Sequence, residues 1–389
     1  SHIIGQIDDN NNGISGLEKS LDKNLKNSQE AIKLSVDKDI QFLIREELIK
    51  FNQIFSTKGS AAILMNVNNG EILSLVSLPD FNPNKREKII DLNYINRVTK
   101  GVYEFGSVFK TFTLAAALNE KIIQPETEFK DLPKMLTCAG FPIREYDKKI
   151  PSNLTAEQIL VRSGNIGSVR IAQQLGEEKF RLFLSKIGVL ETINFDIEEV
   201  GTPIKFSWGK CPLATASFGH GITTTLLQLA KAYSIIVNGG YDIKPSLMIK
   251  SKKEKKEKIL DEDVSKKILP ILRKIVTTKE GTASLANVNG YEVGGKTGTA
   301  EKSSEGGYSK KKINSFVSIF PTSQPRFVLA VMLDEPKTNE NYIYNYRDGS
   351  NIKYKGTPFN TAGWTTVEVT GQILEKIGPI LATKYSEVN

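Results

Sequence analysis

The sequence predicts a mixed α/β (α+β) fold, in which a sheet stands beside several helices. Runs of β-branched and aromatic residues at 315–320 and 327–333 are typical of buried strands. A run at residues 108–118 is almost wholly apolar and indicates a buried helix. Two further helix-like runs cover residues 154–161 and 166–175. Both element types are therefore expected in the same chain.

The predicted strands follow a short polar motif, Lys296-Thr297-Gly298-Thr299, which two glycines precede. Glycine removes side chains, so a ligand can lie against the main chain at this point. A lysine and two hydroxyl groups beside such a backbone favour an anion-binding edge strand. The motif therefore predicts one half of an active site.

Histidine is too scarce to build a Ser-His-Asp triad. The chain has only His2, at its start, and His220, between two glycines in a sequence that is typical of a turn. Histidine-rich metal sites are excluded by the same count, and Cys138 and Cys211 are too far apart for a zinc pattern. We expect neither a metal nor a cofactor. The two cysteines either pair in an oxidising compartment or remain buried thiols.

A serine activated by a lysine is the remaining choice of nucleophile. Ser-x-x-Lys occurs six times, but only the match from Ser107 to Lys110 opens an apolar helix. The other matches lie in polar or lysine-rich stretches, which are typical of solvated surfaces. Residues three apart share a helix face, so Lys110 is expected beside Ser107. Burial disfavours the charged amine, which allows Lys110 to accept a proton.

A third motif, Ser163-Gly164-Asn165, lies between the two helix-like runs and predicts a loop tip with two polar side chains. Taken alone, it is more typical of a helix cap, because serine and asparagine bond to free backbone groups there. Because it lies between the serine motif and the lysine motif along the chain, we favour a functional role for it.

In this order, the three motifs resemble the signatures of the penicillin-recognising acyl-serine transferases. Other stretches resemble class B penicillin-binding proteins, and most of all their division-type D,D-transpeptidases. These stretches are residues 69–73, 81–84, 217–222 and 334–337. The resemblance implies an antiparallel five-stranded sheet flanked by helices, together with an all-helical lobe.

The resemblance also implies a peptidoglycan D,D-transpeptidase that β-lactam antibiotics inhibit. Ser107 would attack the carbonyl group between two terminal D-alanines while Lys110 takes its proton. Ser163 and Lys296 would pass a proton to the departing amine. The positive charge of Lys296 is expected to help keep Lys110 neutral.

Substrate binding is expected from four further residues. Thr297 and Thr299 would bind the terminal carboxylate, Gly298 would admit the substrate to the main chain, and Asn165 would orient its amide. Backbone N–H groups of Ser107 and Thr299 would hold the oxyanion.

Two parts are expected along the chain: residues 1–32 as the remnant of a non-catalytic pedestal and linker, and residues 33–389 as the transpeptidase domain. No apolar run approaches the roughly 20 residues that a membrane-spanning helix needs. The resemblance implies an N-terminal anchoring helix missing from this sequence. The catalytic domain of such an inner-membrane protein would lie in the periplasm.

The formal net charge is +8, from 52 Lys and Arg against 44 Asp and Glu. Nucleic acid is not the expected partner, because the lysine clusters have no interleaved aromatic residues. The resemblance implies stem peptides of lipid-linked or nascent glycan strands and β-lactams as ligands. A membrane-embedded glycosyltransferase and divisome proteins are the expected protein partners.

Two rival functions share these motifs. A serine β-lactamase needs a base that clears the acyl-enzyme, and no clear Glu-x-x-Asn element follows Ser163. A non-enzymatic β-lactam sensor would be acylated without transferring the acyl group. Residues 339–354, rich in asparagine and tyrosine, have no assigned function and are interpreted as a surface excursion with aromatic packing.

Overall fold

The computed structural model describes residues 1–85, 94–250, 256–304 and 307–385. The strands are β1 (Gln6–Ile7), β2 (Gly13–Ser15), β3 (Gly59–Asn66), β4 (Ile72–Leu78), β5 (Glu128–Phe129), β6 (Met135–Cys138), β7 (Phe141–Arg144), β8 (Leu154–Thr155), β9 (Gly294–Ser304), β10 (Gly307–Phe320), β11 (Phe327–Asp334), β12 (Ile343–Asn345) and β13 (Lys353–Lys355). The α-helices are α1 (Gly16–Ser20), α2 (Asp22–Asn27), α3 (Lys38–Ile54), α4 (Phe109–Asn119), α5 (Ala156–Val161), α6 (Asn165–Leu175), α7 (Glu177–Lys186), α8 (Lys210–Ala216), α9 (Leu226–Val237), α10 (Glu262–Thr277) and α11 (Thr366–Lys384).

A five-stranded sheet forms the centre of the molecule, in the order β4-β3-β11-β10-β9. All its neighbouring strands are antiparallel. Every residue of β11 is buried, because helices α3 and α11 and helices α9 and α10 pack on the sheet. Such double coverage explains why the sequence of β11 is a continuous apolar run rather than an alternating one. The predicted fold class, with its five-stranded antiparallel sheet, is confirmed.

Helices α4 to α8 form the helical part beside the sheet. Helix α4 lies against α5, α6, α7 and α10, and nearly all of its residues are buried. The predicted helix at 108–118 begins with a single 3₁₀ turn at Gly106–Val108 and continues as α4. The predicted helix at 154–161 begins later, because Leu154–Thr155 form β8 and Thr155 caps α5 through a reciprocal capping box with Gln158.

The N-terminal segment forms the β1–β2 hairpin and the short helices α1 and α2. The main-chain N–H of Gly16 donates to the carboxylate of Glu199 at 3.0 Å, which joins the segment to the larger body. The division at residue 32 stays a prediction. Among the described residues, no helix has both the length and the apolar content that crossing a membrane requires.

Two open points of the sequence are resolved by the structure. Cys138 at the end of β6 forms a disulfide with Cys211 of α8. The aromatic packing expected of residues 339–354 is present, since Tyr344 contacts the rings of Tyr342 and Trp364, but the stretch is not at the surface throughout. Tyr344 is fully buried, and Arg347 pairs with the buried Glu368 of α11. An ion pair between distant segments leaves no periodic signal in the sequence.

Candidate active site

Ser107 lies in the 3₁₀ turn that leads into α4, and its side chain is partly exposed at the floor of a cleft. The turn is held from below by Tyr233, a fully buried residue of α9, whose hydroxyl donates to the carbonyl oxygen of Val108 at 2.8 Å. From above, the turn lies against β9. The serine is thus fixed between a helix and the edge of the sheet.

Gly106 explains how the chain approaches β9 so closely. Its φ is +60°, and a Cβ atom at this position would lie 2.8 Å from the carbonyl oxygen of Thr299. Both the backbone conformation and the contact therefore require glycine. Because N–H and C=O of one strand residue point to the same side, the N–H of Thr299 also faces the serine turn rather than β10.

Replacing Gly106 with alanine is expected to lower the free energy of unfolding by about 3 kcal/mol, from a strained φ and a clash with β9. Gly290→Ala is the matched control, since Gly290 has φ +85° but open space around its Cβ position. The control should lose only about 1 kcal/mol. Urea denaturation of both variants measures the difference, and equal losses would show that the contact with Thr299 does not matter.

Lys110 lies in the first turn of α4, and only 2% of its surface is exposed. Its Nζ donates to the carbonyl oxygen of Ser163, to Ser163 Oγ at 3.2 Å and to Asn165 Oδ1 at 2.7 Å. No hydrogen bond of the described residues joins Lys110 to Ser107. The lysine is therefore directed toward the second motif, one helical turn below the serine.

Lys296 of β9 approaches the same hydroxyl from the opposite side. It is fully buried, and its Nζ donates to Ser163 Oγ at 2.8 Å and to the carbonyl oxygen of Thr297 at 3.1 Å. Ser163 Oγ thus lies between two lysine amines. One hydroxyl group connects the helix that carries Ser107 with the strand that forms the cleft edge.

Burial controls the protonation of both lysines. It lowers the pKa of Lys110 to about 7, against the opposing charge of Glu145. The pKa of Lys296 is also lowered, first by burial and then by the charge of Lys110. Burial is the cause that the sequence predicted for a neutral Lys110, and it is the largest cause in the structure. Lys296 was expected to help through its charge, whereas the charge effect in the structure is that of Lys110 on Lys296. Burial therefore favours the neutral form of both amines.

The second motif forms the connection between α5 and α6, as predicted. Ser163 has φ +56°, and Gly164 is the N-cap residue of α6, so Asn165 begins that helix. The main-chain N–H groups of Asn165 and Ile166 donate to the carboxylate of Glu145, at 2.7 and 3.0 Å. Sequence reasoning missed Glu145, because no short motif connects it with Asn165.

The predicted carboxylate-binding residues lie on β9, the edge strand of the sheet. Thr297 Oγ1 shares a hydrogen bond of 2.7 Å with Thr282 Oγ1, and Thr299 Oγ1 accepts from the N–H of Ala362 at 3.0 Å. Thr282 was missed in the sequence. Gly298 has a structural reason to be glycine, since a Cβ there would lie 2.1 Å from the carbonyl oxygen of Phe105.

The cleft has a volume of about 1100 Å³. Five predicted site residues line it, and these are Ser107, Ser163, Asn165, Thr297 and Thr299. Lys110 and Lys296 lie beneath them. Residues 358–364 and Tyr346 form a wall that the sequence did not predict, and His220 also lines the cleft from its glycine turn.

Known proteins resemble this chain in sequence and in fold. Residues 60–351 match the model of the penicillin binding protein transpeptidase domain. The chain is 30% identical to a probable peptidoglycan D,D-transpeptidase FtsI of Caulobacter vibrioides over 99% of its own length, and it spans 65% of that relative. It is 30% identical to a probable peptidoglycan D,D-transpeptidase PenA of Neisseria flavescens, with 86% of this chain and 83% of the relative covered.

Among solved structures, the apo transpeptidase domain of penicillin-binding protein 3 from Burkholderia pseudomallei superimposes with a TM-score of 0.76 and 27% identity. The superposition covers 90% of this chain and 97% of the other. The likeness therefore extends over most of the fold.

Proposed function

The chain belongs to the penicillin-binding protein transpeptidase family, and we propose that it is a division-type peptidoglycan D,D-transpeptidase. One observation carries the proposal. Ser163 Oγ lies within hydrogen-bonding distance of both Lys110 Nζ and Lys296 Nζ, beside a cleft that Ser107 lines. This is an arrangement for moving a proton without histidine.

Acylation begins when Ser107 Oγ attacks the carbonyl carbon of the penultimate D-alanine of a stem peptide. Neutral Lys110 receives the hydroxyl proton, and the N–H groups of Ser107 and Thr299 stabilise the oxyanion. The C–N bond then breaks, and the terminal D-alanine departs as its amine takes a proton. Ser163 and Lys296 provide the path for that proton.

The acyl-enzyme is resolved by an amine of a neighbouring stem peptide. That amine attacks the ester carbonyl carbon, the C–O bond to Ser107 breaks, and the proton returns to the serine oxygen by the same path. The product is a peptide crosslink between two glycan strands. A β-lactam resembles the dipeptide and forms the same ester, which water removes slowly.

We assign binding of the substrate's terminal carboxylate to hydroxyl groups of β9, the strand at the edge of the cleft. Thr297 and Thr299 supply two of them, and Thr282 orients the first through its hydrogen bond. Asn165 uses its side-chain oxygen for Lys110 and its side-chain nitrogen for the carbonyl of Arg144. Each of these two atoms has a second hydrogen-bonding position, with which Asn165 would orient the substrate amide.

The decisive experiment follows the intact mass of the protein for several hours after mixing with benzylpenicillin. One long-lived adduct, absent from Ser107→Ala, supports the proposal. Rapid loss of the adduct with turnover of the drug would identify a serine β-lactamase instead. Transfer of a stem-peptide acyl group to an amine separates a transpeptidase from a sensor, and no adduct at all would refute the role of Ser107.

The rate constant of acylation is expected to rise about tenfold per pH unit below pH 7 and to level off above it. The reason is the pKa of Lys110, about 7, below which the amine is protonated and cannot accept the serine proton. Stopped-flow measurements with a chromogenic β-lactam between pH 5 and 9 test this. A rate constant that is flat or falls over this range would contradict Lys110 as the base.

We also propose a location and protein partners for the whole protein. An N-terminal membrane anchor would place this domain in the periplasm, close to a membrane-embedded glycosyltransferase and to divisome proteins. Resemblance to the FtsI relative supports the division role. Septal localisation of the full-length protein fused to a fluorescent protein tests this, and uniform peripheral labelling would favour a role in elongation.

A further inference from the structure

Glu145 lies outside the three sequence motifs but contacts one of them directly. It follows β7, and both of its carboxylate oxygens accept hydrogen bonds from the first main-chain N–H groups of α6. The preceding residue takes part as well, since Asn165 Nδ2 donates to the carbonyl oxygen of Arg144 at 2.7 Å. The last residue of the β6–β7 hairpin and the residue after it thus hold the first turn of α6.

The first turn of α6, together with Ser163 before it, also holds Lys110, the proposed base. Asn165 Oδ1 and the two oxygens of Ser163 accept the three hydrogen bonds of Lys110 Nζ. A displacement of Asn165 would therefore move or release Lys110. Two charged groups are coupled to Lys110. Glu145 counteracts the lowering of the Lys110 pKa by burial, and Lys296 of β9 has its own pKa lowered by the charge of Lys110.

The β6–β7 hairpin has little packing of its own to keep Glu145 in place. Within β7 only Ile143 is buried, whereas Phe141 is 76% exposed. Strand β6 has no fully buried residue. A two-stranded hairpin is at best marginally stable without further support. Its position must therefore depend on attachments to the rest of the protein.

The disulfide supplies such an attachment. It joins Cys138, at the turn of the hairpin, to Cys211 in α8, and the two Cα atoms lie 5.5 Å apart. Helix α8 packs against α6, the helix whose first turn Glu145 holds. Neither cysteine lines the cleft. The tether and the carboxylate thus fix the hairpin to the same part of the protein at two separate points.

We propose that Glu145 is a positioning residue for Asn165 and Lys110, and that the Cys138–Cys211 disulfide maintains this position by tethering the β6–β7 hairpin. The inference rests on the proposed function, because it concerns the base of the acylation step. It assigns a role in acylation to residues that contact neither the substrate nor Ser107.

The test compares the rate constant of benzylpenicillin acylation between pH 5 and 9 in four variants and the wild type. The variants are Glu145→Gln, Glu145→Asp, the double variant Cys138→Ser with Cys211→Ser, and the control Glu126→Gln. Glu126 is an exposed loop residue, for which no hydrogen bond or ion pair occurs within the described ranges. The variant Glu126→Gln removes one negative charge, as Glu145→Gln does.

In Glu145→Gln, the plateau rate constant is expected to fall about tenfold, since a small misplacement of a reacting group can cost up to about 100-fold. The inflection of the pH profile is expected to move to lower pH, because a carboxylate that favours the charged lysine is removed. Glu145→Asp should restore the inflection but not the full plateau. The double cysteine variant should lower the plateau about threefold, which is a partial loss of positioning.

An unchanged plateau and inflection in Glu145→Gln, with the wild type acylated, would overturn this inference alone. If benzylpenicillin does not acylate the wild-type protein, the proposed function is contradicted instead. If the double cysteine variant folds and reacts as the wild type does, the tether is refuted. Circular dichroism at the assay temperature establishes folding, and Glu145→Gln tests the positioning even where the cysteine variant unfolds.

Discussion

Replacing Lys110 with methionine is expected to lower the rate constant of acylation by benzylpenicillin about 1000-fold. Methionine preserves the length and apolar character of the buried side chain in α4 but cannot accept the proton of Ser107. Positioned general bases contribute about 10² to 10⁴ to a rate. Acyl-enzyme formation measured by intact mass at pH 8, where the wild-type lysine is mostly neutral, gives the comparison.

The matched control is Lys186→Met at the exposed C-terminal end of α7. This variant should react at the wild-type rate, because the lysine lies on the surface outside the cleft. An acylation rate within threefold of wild type in Lys110→Met would eliminate Lys110 as the base. Lys296 would then become the candidate, since it is the other buried amine at Ser163 Oγ.

The largest loss of stability is expected from Arg347→Met, at about 3 to 5 kcal/mol of unfolding free energy. Arg347 binds the fully buried carboxylate of Glu368 through two hydrogen bonds of 2.8 Å and also donates to the carbonyl oxygen of Leu285. Its removal leaves a buried negative charge for which, among the described residues, the hydroxyl of Tyr342 and the side-chain amide of Gln372 remain as donors. Urea denaturation measures the loss.

A second substitution distinguishes the charge effect from a packing defect. Adding Glu368→Leu to Arg347→Met removes both buried charges, so the double variant should recover more than half of the lost stability. If the double variant is less stable than Arg347→Met alone, the buried charge is not the cause of the loss. In that case the packing of residues 339–354 on α11 would account for it.

Short-range patterns were sufficient to predict much of the candidate site. The spacing of Ser107 and Lys110 placed the two residues one helical turn apart, and the apolar runs located β10, β11 and α4. The structure brings the serine and lysine motifs to Ser163. These predictions depend on hydrogen bonds and side-chain periodicity within a few residues, which the sequence displays directly.

Contacts between distant segments could not be predicted in this way. Glu145 binds the start of α6 from a hairpin, and Thr282 reaches Thr297 from the loop after α10. The disulfide joins cysteines 73 residues apart, for which the sequence left two alternatives open. Each contact depends on how whole elements pack, and a single polar residue in a loop gives no periodic signal.

The strand order of the sheet also determines when the active site can exist during synthesis. Strand β3 pairs with β4 and with β11, which the ribosome adds about 260 residues later. Until β11 emerges, one edge of the nascent β3–β4 hairpin has no partner, and such long-range closure is slow. Lys296 and the wall at residues 358–364 are also late additions. A complete cleft therefore requires the chain as far as residue 364, and a fragment that ends before β9 would lack both Lys296 and this wall.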